Sequence, residues 1–308
     1  MNRLFKTSTG ELRWGWKAAI LILGTILFGI ILNTVLATAL TIGLTSQGLA
    51  QEQAMEEAAA VSGSLMGQVF ISVLQLSFLL WLVRWLITKL ERQHFSWSML
   101  GLTRKNRSRH MFPGIVLAIV LSLSTVGIGY FSGTLKYLGN GFALFGPYQA
   151  VITIFLGALL ALASGFGEEI AFRGYLQSRL AQRYNPGTAV MIVAVLFALS
   201  HPVGDVSNPL LYIATAVLVG ILFGTVFVRT GSLWMGIALH TVWNYLQIAI
   251  VAVRNSADER FFGAPIFVFD NVYGIPYILV EFVVILVVLL SVMFFTRPMT
   301  KKEVLYTH

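Results

Sequence analysis

Two adjacent carboxylates and an arginine, Glu168, Glu169 and Arg173, stand in the stretch "ALASGFGEEIAFRGYL" (161–176), directly behind a long run of apolar and small residues. An ionisable group at bilayer depth costs roughly 2.5–3.5 kcal/mol on insertion scales, so such groups face a protein interior or a water-filled cavity. Two further polar groups follow in apolar runs: His201 in "FALSH" with Phe197 four residues before it, and His240 with Asn244 in "HTVWN". Glu169 and Arg173, Phe197 and His201, and His240 and Asn244 are all i, i+4 pairs, which share one helix face.

The spacing also sets depth. About the turn "YNPG" (184–187), Glu168 and His201 are equidistant in sequence, so two antiparallel helices rising 1.5 Å per residue bring them level. His240 and Asn244 enter from a third helix that opens at "RTGSLW". Each residue also has a purely structural reading. Arg173 is then an interfacial side chain neutralised by Glu169, His201 a helix-end residue before Pro202, and His240 with Asn244 a helix-packing hydrogen bond. Taken together, with depths that agree, they describe a site.

This set contains no serine–histidine nucleophile pair, and it suits hydrolysis by an activated water. Glu168 near an imidazole can act as general base, and His240 and Asn244 can donate to a developing oxyanion, at about 3–4 kcal/mol per donor. The alternative is a divalent metal, zinc for instance, held by His201 and His240 with Glu168 as third ligand; the helical HExxH spacing is absent.

The elements that must position these groups are helices. The hydrophobic fraction is 57% and charged residues are 11%, against soluble norms of about 45–50% and 25%. Apolar runs of spanning length occur at about 15–44, 63–88, 112–131, 149–167, 187–201, 209–228, 232–252 and 275–296, the fifth being short. The expected fold is an all-α polytopic membrane protein of about eight transmembrane helices, with the active site inside the bundle. It divides into residues 1–148 (N-terminal helices and a basic loop), 149–252 (catalytic core) and 253–308 (external loop, last helix and tail).

The net charge of +8 is distributed by segment and not gathered into a patch, which argues against a nucleic-acid partner. With a cytoplasmic N-terminus, 18 of the 21 Lys and Arg residues fall on the cytoplasmic side, among them those from Arg84 to Arg109 and Arg297, Lys301 and Lys302. Lys136, Arg254 and Arg260 fall outside, where Asp258 and Glu259 also lie. That asymmetry places both termini in the cytoplasm. The absence of cysteine excludes disulfides, thiolate metal sites and a cysteine nucleophile.

With these motifs in hand, the chain resembles the CPBP intramembrane protease family, also called the CAAX prenyl protease 2 and abortive-infection family. "EEIAFRG" matches its EExxxR motif, "FALSH" its FxxxH motif and "HTVWN" its HxxxN motif, in family order, within about residues 149–252. The resemblance implies an intramembrane endopeptidase in which Glu168 and His201 activate water, His240 and Asn244 stabilise the oxyanion, and Glu169 and Arg173 hold the site together. It further implies a membrane-associated peptide or protein substrate, and an integral multi-pass protein of a prokaryotic plasma membrane. Metal dependence, oligomeric state and the substrate's identity stay open.

Two rival classes remain at this level: a transporter or proton relay, with "HPVGDVSNP" as the unwound part of a discontinuous helix, and a non-catalytic immunity or scaffold protein on the same fold. Glu281, in "YILVEFVVILVV", is expected to snorkel to the external face, the alternative being that it lines the cavity.

Overall fold

The computed structural model describes residues 12–104, 107–201, 208–255, 263–271 and 277–296. Pro202, most of the "HPVGDVSNP" segment, Asp258, Glu259, Arg260 and the tail residues Arg297, Lys301 and Lys302 lie outside them.

Each of the eight apolar runs contains a helix, and among the described residues six helices are long and apolar enough to cross a bilayer. They begin with α1 (Trp14–Ser46), which is joined through α2 (Gln51–Gly63) to α3 (Leu65–Trp85) and then α4 (Arg107–Phe131). After the short α5 (Gly141–Leu144) comes α6 (Pro147–Glu168), which runs without a break through a π-helical stretch, Glu169–Gln177, into α7 (Ser178–Arg183). Then follow α8 (Pro186–Leu199), α9 (Pro209–Thr230), α10 (Leu233–Tyr245) and α11 (Tyr277–Phe295). The two shorter members are α8, whose 14 residues rise only about 21 Å, and α10, which a π turn carries on to Ile250.

Punctuation in the sequence explains where these helices start. Asn185 Oδ1 accepts from Thr188 N at 2.8 Å with Pro186 in the first turn, and Asn208 Oδ1 accepts from Leu211 N at 3.2 Å ahead of Pro209. Each cap satisfies an amide that the helix leaves unpaired, and proline there forfeits no hydrogen bond. Gly231, at φ 60°, ends α9, and Ser232 caps α10 one residue later.

The polar connection at 47–63 is itself mostly helix, with Ala54 and Ala58 buried. A three-stranded sheet is a second feature that the hydropathy pattern did not reveal. Its strands are β1 (Leu135–Asn140), β2 (Val251–Asn255) and β3 (Phe267–Asn271), in the order β1-β3-β2. β1 runs antiparallel to β3, with Leu135 opposite Asn271, and β2 runs parallel to it, with Val251 opposite Phe267. The expected run to 252 therefore leaves helical geometry after Ile250, because its last residues pair with β3.

Two apolar clusters form the core. One gathers Leu21, Leu79, Leu82, Leu86 and Val193 around the π-helical stretch, through Ile170, Phe172 and Tyr175. The other joins α4, α9, α10 and α11 through Leu121, Phe223, Leu239 and Ile285. Phe197 belongs to the first and Phe223 to the second, and Arg173 and His240 lie near both rings. At one end of the bundle Glu91, just after the π turn that extends α3, accepts from Lys17 at 3.1 Å, Tyr175 at 3.0 Å and Arg179 at 2.9 Å. Lys17 and Arg179, two of the basic residues expected on the same side of the membrane, thus meet at Glu91.

Candidate active site

The change from α to π winding falls between the two glutamates: Glu168 is the last residue of α6 and Glu169 the first of the wider stretch. π turns of this kind interrupt helices at functional sites. The neighbours, about 100° apart around the helix, meet different surroundings, with the Glu169 side chain wholly buried and that of Glu168 31% exposed.

Glu169 is held from several directions. Arg173 Nη1 donates to its Oε1 at 2.9 Å, and His240 Nδ1 lies 3.2 Å from the same oxygen. Its Oε2 lies against the backbone of α10: a Cβ added at Gly236 would stand 2.8 Å from it. Arg173, also wholly buried, sends Nη2 to the carbonyl of Gly220 at 3.3 Å. Its guanidinium carbon lies 4.6 Å from the Phe197 ring centre and 5.1 Å from that of Phe223. Ion pairing, a carbonyl and two π faces replace part of the water that this charge gives up, while Arg173 Nε is buried without a hydrogen-bond partner.

Glu168 has no such partner. Its Oε2 is buried without a hydrogen bond, 3.7 Å from His201 Nε2 and 3.8 Å from His240 Nε2. The far side of each imidazole is fixed. His201 Nδ1 is 2.7 Å from the Phe197 carbonyl, an acceptor, so Nδ1 carries the proton there. His240 Nδ1 faces the Glu169 carboxylate and donates in the same way. With Nδ1 as the donor, the neutral form of each ring turns a bare Nε2 lone pair towards Glu168, and three acceptors then face one another. Only a group that brings protons or positive charge satisfies all three, and separations beyond 3.5 Å between polar atoms leave room for a bridging water.

The donor types, two imidazoles and a carboxylate, are those of a zinc site. Tetrahedral bonds of about 2.0–2.1 Å put ligand atoms about 3.3–3.4 Å apart, closer than the 3.7 and 3.8 Å found. Among the described residues no group of three or more His, Cys, Asp and Glu side chains forms a metal-binding cluster.

The rings are braced by packing. Phe223 stacks on His240 with centroids 4.7 Å apart at 26°, and Phe197 lies 4.4 Å from His201. Asn244, one turn beyond His240, donates through Nδ2 to Ser164 Oγ at 3.2 Å. Ser164 sits one turn before Glu168 on α6, so Asn244 is tied to the helix that carries Glu168. Gly165 makes that contact close, since a Cβ there would lie 2.9 Å from Thr241 N.

All six polar residues singled out from the sequence thus stand on three neighbouring segments, and five of them form one chain of contacts through Glu168 and Glu169. Sequence reasoning missed Ser164, Phe223, Gly220 and Gly236. Phe223 lies in a uniformly apolar run that carries no signal, whereas Ser164, at i−4 from Glu168, was readable from helical spacing. Glu281 accepts from Gln247 at 3.0 Å, a partner not foreseen.

A cavity of about 290 Å³ opens onto the site. Glu168, His201, Ser164 and Phe172 line one side; α1 and α3 supply the other with Leu21, Ile26, Gln75, Leu76 and Leu79.

Residues 150–246 match the family model described as Rce1-like, type II CAAX prenyl endopeptidase. No curated protein and no solved structure matches the chain. The matched residues hold Glu168, Glu169, Arg173, His201, His240 and Asn244, and over this segment the chain is similar to the Rce1-like type II CAAX prenyl endopeptidases, which supports the CPBP family.

Proposed function

We propose that the chain is an intramembrane endopeptidase that hydrolyses a peptide bond of a membrane-associated protein or peptide with a water activated by Glu168. One observation carries the reading: a buried carboxylate oxygen without a hydrogen-bond partner, facing two imidazole nitrogens, at the edge of a cavity large enough for a peptide side chain.

The water sits beside the Glu168 Oε2–His201 Nε2 pair, on the cavity side, and donates one hydrogen to each. As its oxygen attacks the carbonyl carbon, Glu168 takes one proton and the carbonyl oxygen becomes an oxyanion. Asn244 offers its second amide hydrogen to that oxygen, the first being engaged by Ser164. His240 Nε2 offers a donor there only as imidazolium, because Nδ1 is committed to Glu169. Glu168 then gives its proton to the departing amine, the C–N bond breaks, and the carboxylate is restored. Glu169 and Arg173 take no part in proton transfer and keep His240 in place.

The test is cleavage by the purified chain in proteoliposomes made up in 18O-labelled water. A hydrolase releases a fragment whose new carboxyl group carries one solvent oxygen, read by mass spectrometry. A transporter or an idle scaffold releases none.

A further inference from the structure

The cavity wall opposite Glu168 holds a polar group that the catalytic account leaves unused. Of the polar side chains lining the cavity besides Glu168 and His201, Thr25 donates to the Leu21 carbonyl at 2.7 Å and Ser200 to that of Phe197 at 2.7 Å, each within its own helix, and Ser72 lies on the same wall as Gln75, three residues before it on α3. Ser164 is engaged with Asn244. Gln75, on α3, has no hydrogen-bond partner among the described residues. It lies in a turn fixed against the catalytic helix: a Cβ at Gly167, next to Glu168, would meet Leu76 at 3.2 Å and Leu79 at 3.3 Å. Its carboxamide fits a notch on α1 that only glycine leaves open, since a Cβ at Gly29 would stand 2.0 Å from Gln75 Nε2.

An amide at this depth needs a partner, because hydrocarbon supplies none. An extended peptide entering the same cavity has the matching need: away from helix or sheet, its N–H and C=O groups are unpaired. A carboxamide has the donor and acceptor of a peptide unit and can bond both at once.

We propose that Gln75 is a substrate-positioning residue, whose carboxamide pairs with one backbone peptide unit of the substrate beside the bond that Glu168 attacks. The inference rests on the endopeptidase reading and adds to it where the substrate backbone lies, between α3 and the catalytic helix. The site thereby reads main chain on that wall, and the apolar side chains of α1 and α3 receive what flanks it.

The experiment uses the full chain in proteoliposomes and the best substrate that the wild type selects from an internally quenched peptide library. Each backbone nitrogen of that peptide is methylated in turn, which deletes one N–H. Gln75→Leu is expected to raise KM about tenfold with a smaller change in kcat, the size of one lost hydrogen bond. One N-methyl position should cost the wild type about the same factor and cost Gln75→Leu almost nothing, because the partner is already gone. Gly29→Ala, which displaces the same carboxamide from another helix, should reproduce Gln75→Leu and keeps the test intact if that variant misfolds. Cleavage with unchanged KM in both variants, or N-methyl effects identical in variant and wild type, overturns this inference and leaves the endopeptidase standing. A wild type that cleaves no peptide overturns the endopeptidase reading and this inference with it.

Discussion

Glu169 and Arg173 are joined at 2.9 Å with both side chains wholly buried, and His240 shares the same carboxylate oxygen at 3.2 Å. The pair is therefore the footing of an imidazole as well as a neutralised charge. Removing one member of such a pair costs about 3–5 kcal/mol, because the other is left charged and dry. Glu169→Gln should lower the melting temperature and the yield of folded protein together with activity, and adding Arg173→Met should recover part of the stability without the activity. Gly236→Ala should also destabilise, since its Cβ enters the space of Glu169 Oε2; overpacking of this kind costs about 1–3 kcal/mol. Thermal unfolding in detergent measures all three.

Asn244 depends on Ser164 for its orientation. Without that acceptor the carboxamide is free to turn its oxygen towards the cavity, where an oxyanion would be repelled. Asn244→Ala should lower kcat by about 10²-fold, the low end for one oxyanion donor. Ser164→Ala should lower it less, and the double variant should be no worse than Asn244→Ala alone. Additive losses would separate the two residues.

The spacing of Glu168, His201 and His240 leads to a prediction about metals. Exhaustive treatment with a zinc chelator should leave turnover largely intact, and inductively coupled plasma analysis of active protein should find less than one equivalent of bound zinc. Complete loss of activity, restored by one equivalent of zinc, would make the three residues ligands in place of a water-binding pocket.

The chain has no cysteine, so single cysteines report topology directly. Glu57 on α2 and Ser108 at the start of α4 are both exposed, whereas the neighbouring Ala54 is buried. With cytoplasmic termini, an impermeant thiol reagent applied to intact cells should label Glu57→Cys and spare Ser108→Cys. The reverse pattern inverts the protein and turns the end bearing Lys17, Glu91 and Arg179 outwards.

What was legible in the sequence is what depends on local spacing. The i, i+4 rule placed Arg173 on Glu169, and equal distances from "YNPG" placed Glu168 level with His201, because a helix fixes rise and rotation per residue. The six long spans follow from apolar length in the same way. The sheet was hidden because its strands come from parts of the chain far apart in sequence, and pairing between β1 and β3 has no local signature. Phe223 was hidden for a related reason: an aromatic residue in an apolar span looks the same whether it meets lipid or stacks on His240. The glycines at 165, 220 and 236 were visible as residues, but what each admits, a helix backbone or a carboxylate, is a property of the neighbour.

The central claim is that the two adjacent glutamates do different work, Glu168 on the water and Glu169 on the architecture. Turnover and melting temperature of Glu168→Gln, measured on one preparation in proteoliposomes, test it most directly. The account predicts a melting temperature close to that of the wild type and a kcat lower by about 10²–10⁴-fold, the range for loss of a general base. A Glu168→Gln protein that keeps most of its turnover, beside a Glu169→Gln protein that is stable and inactive, would contradict it.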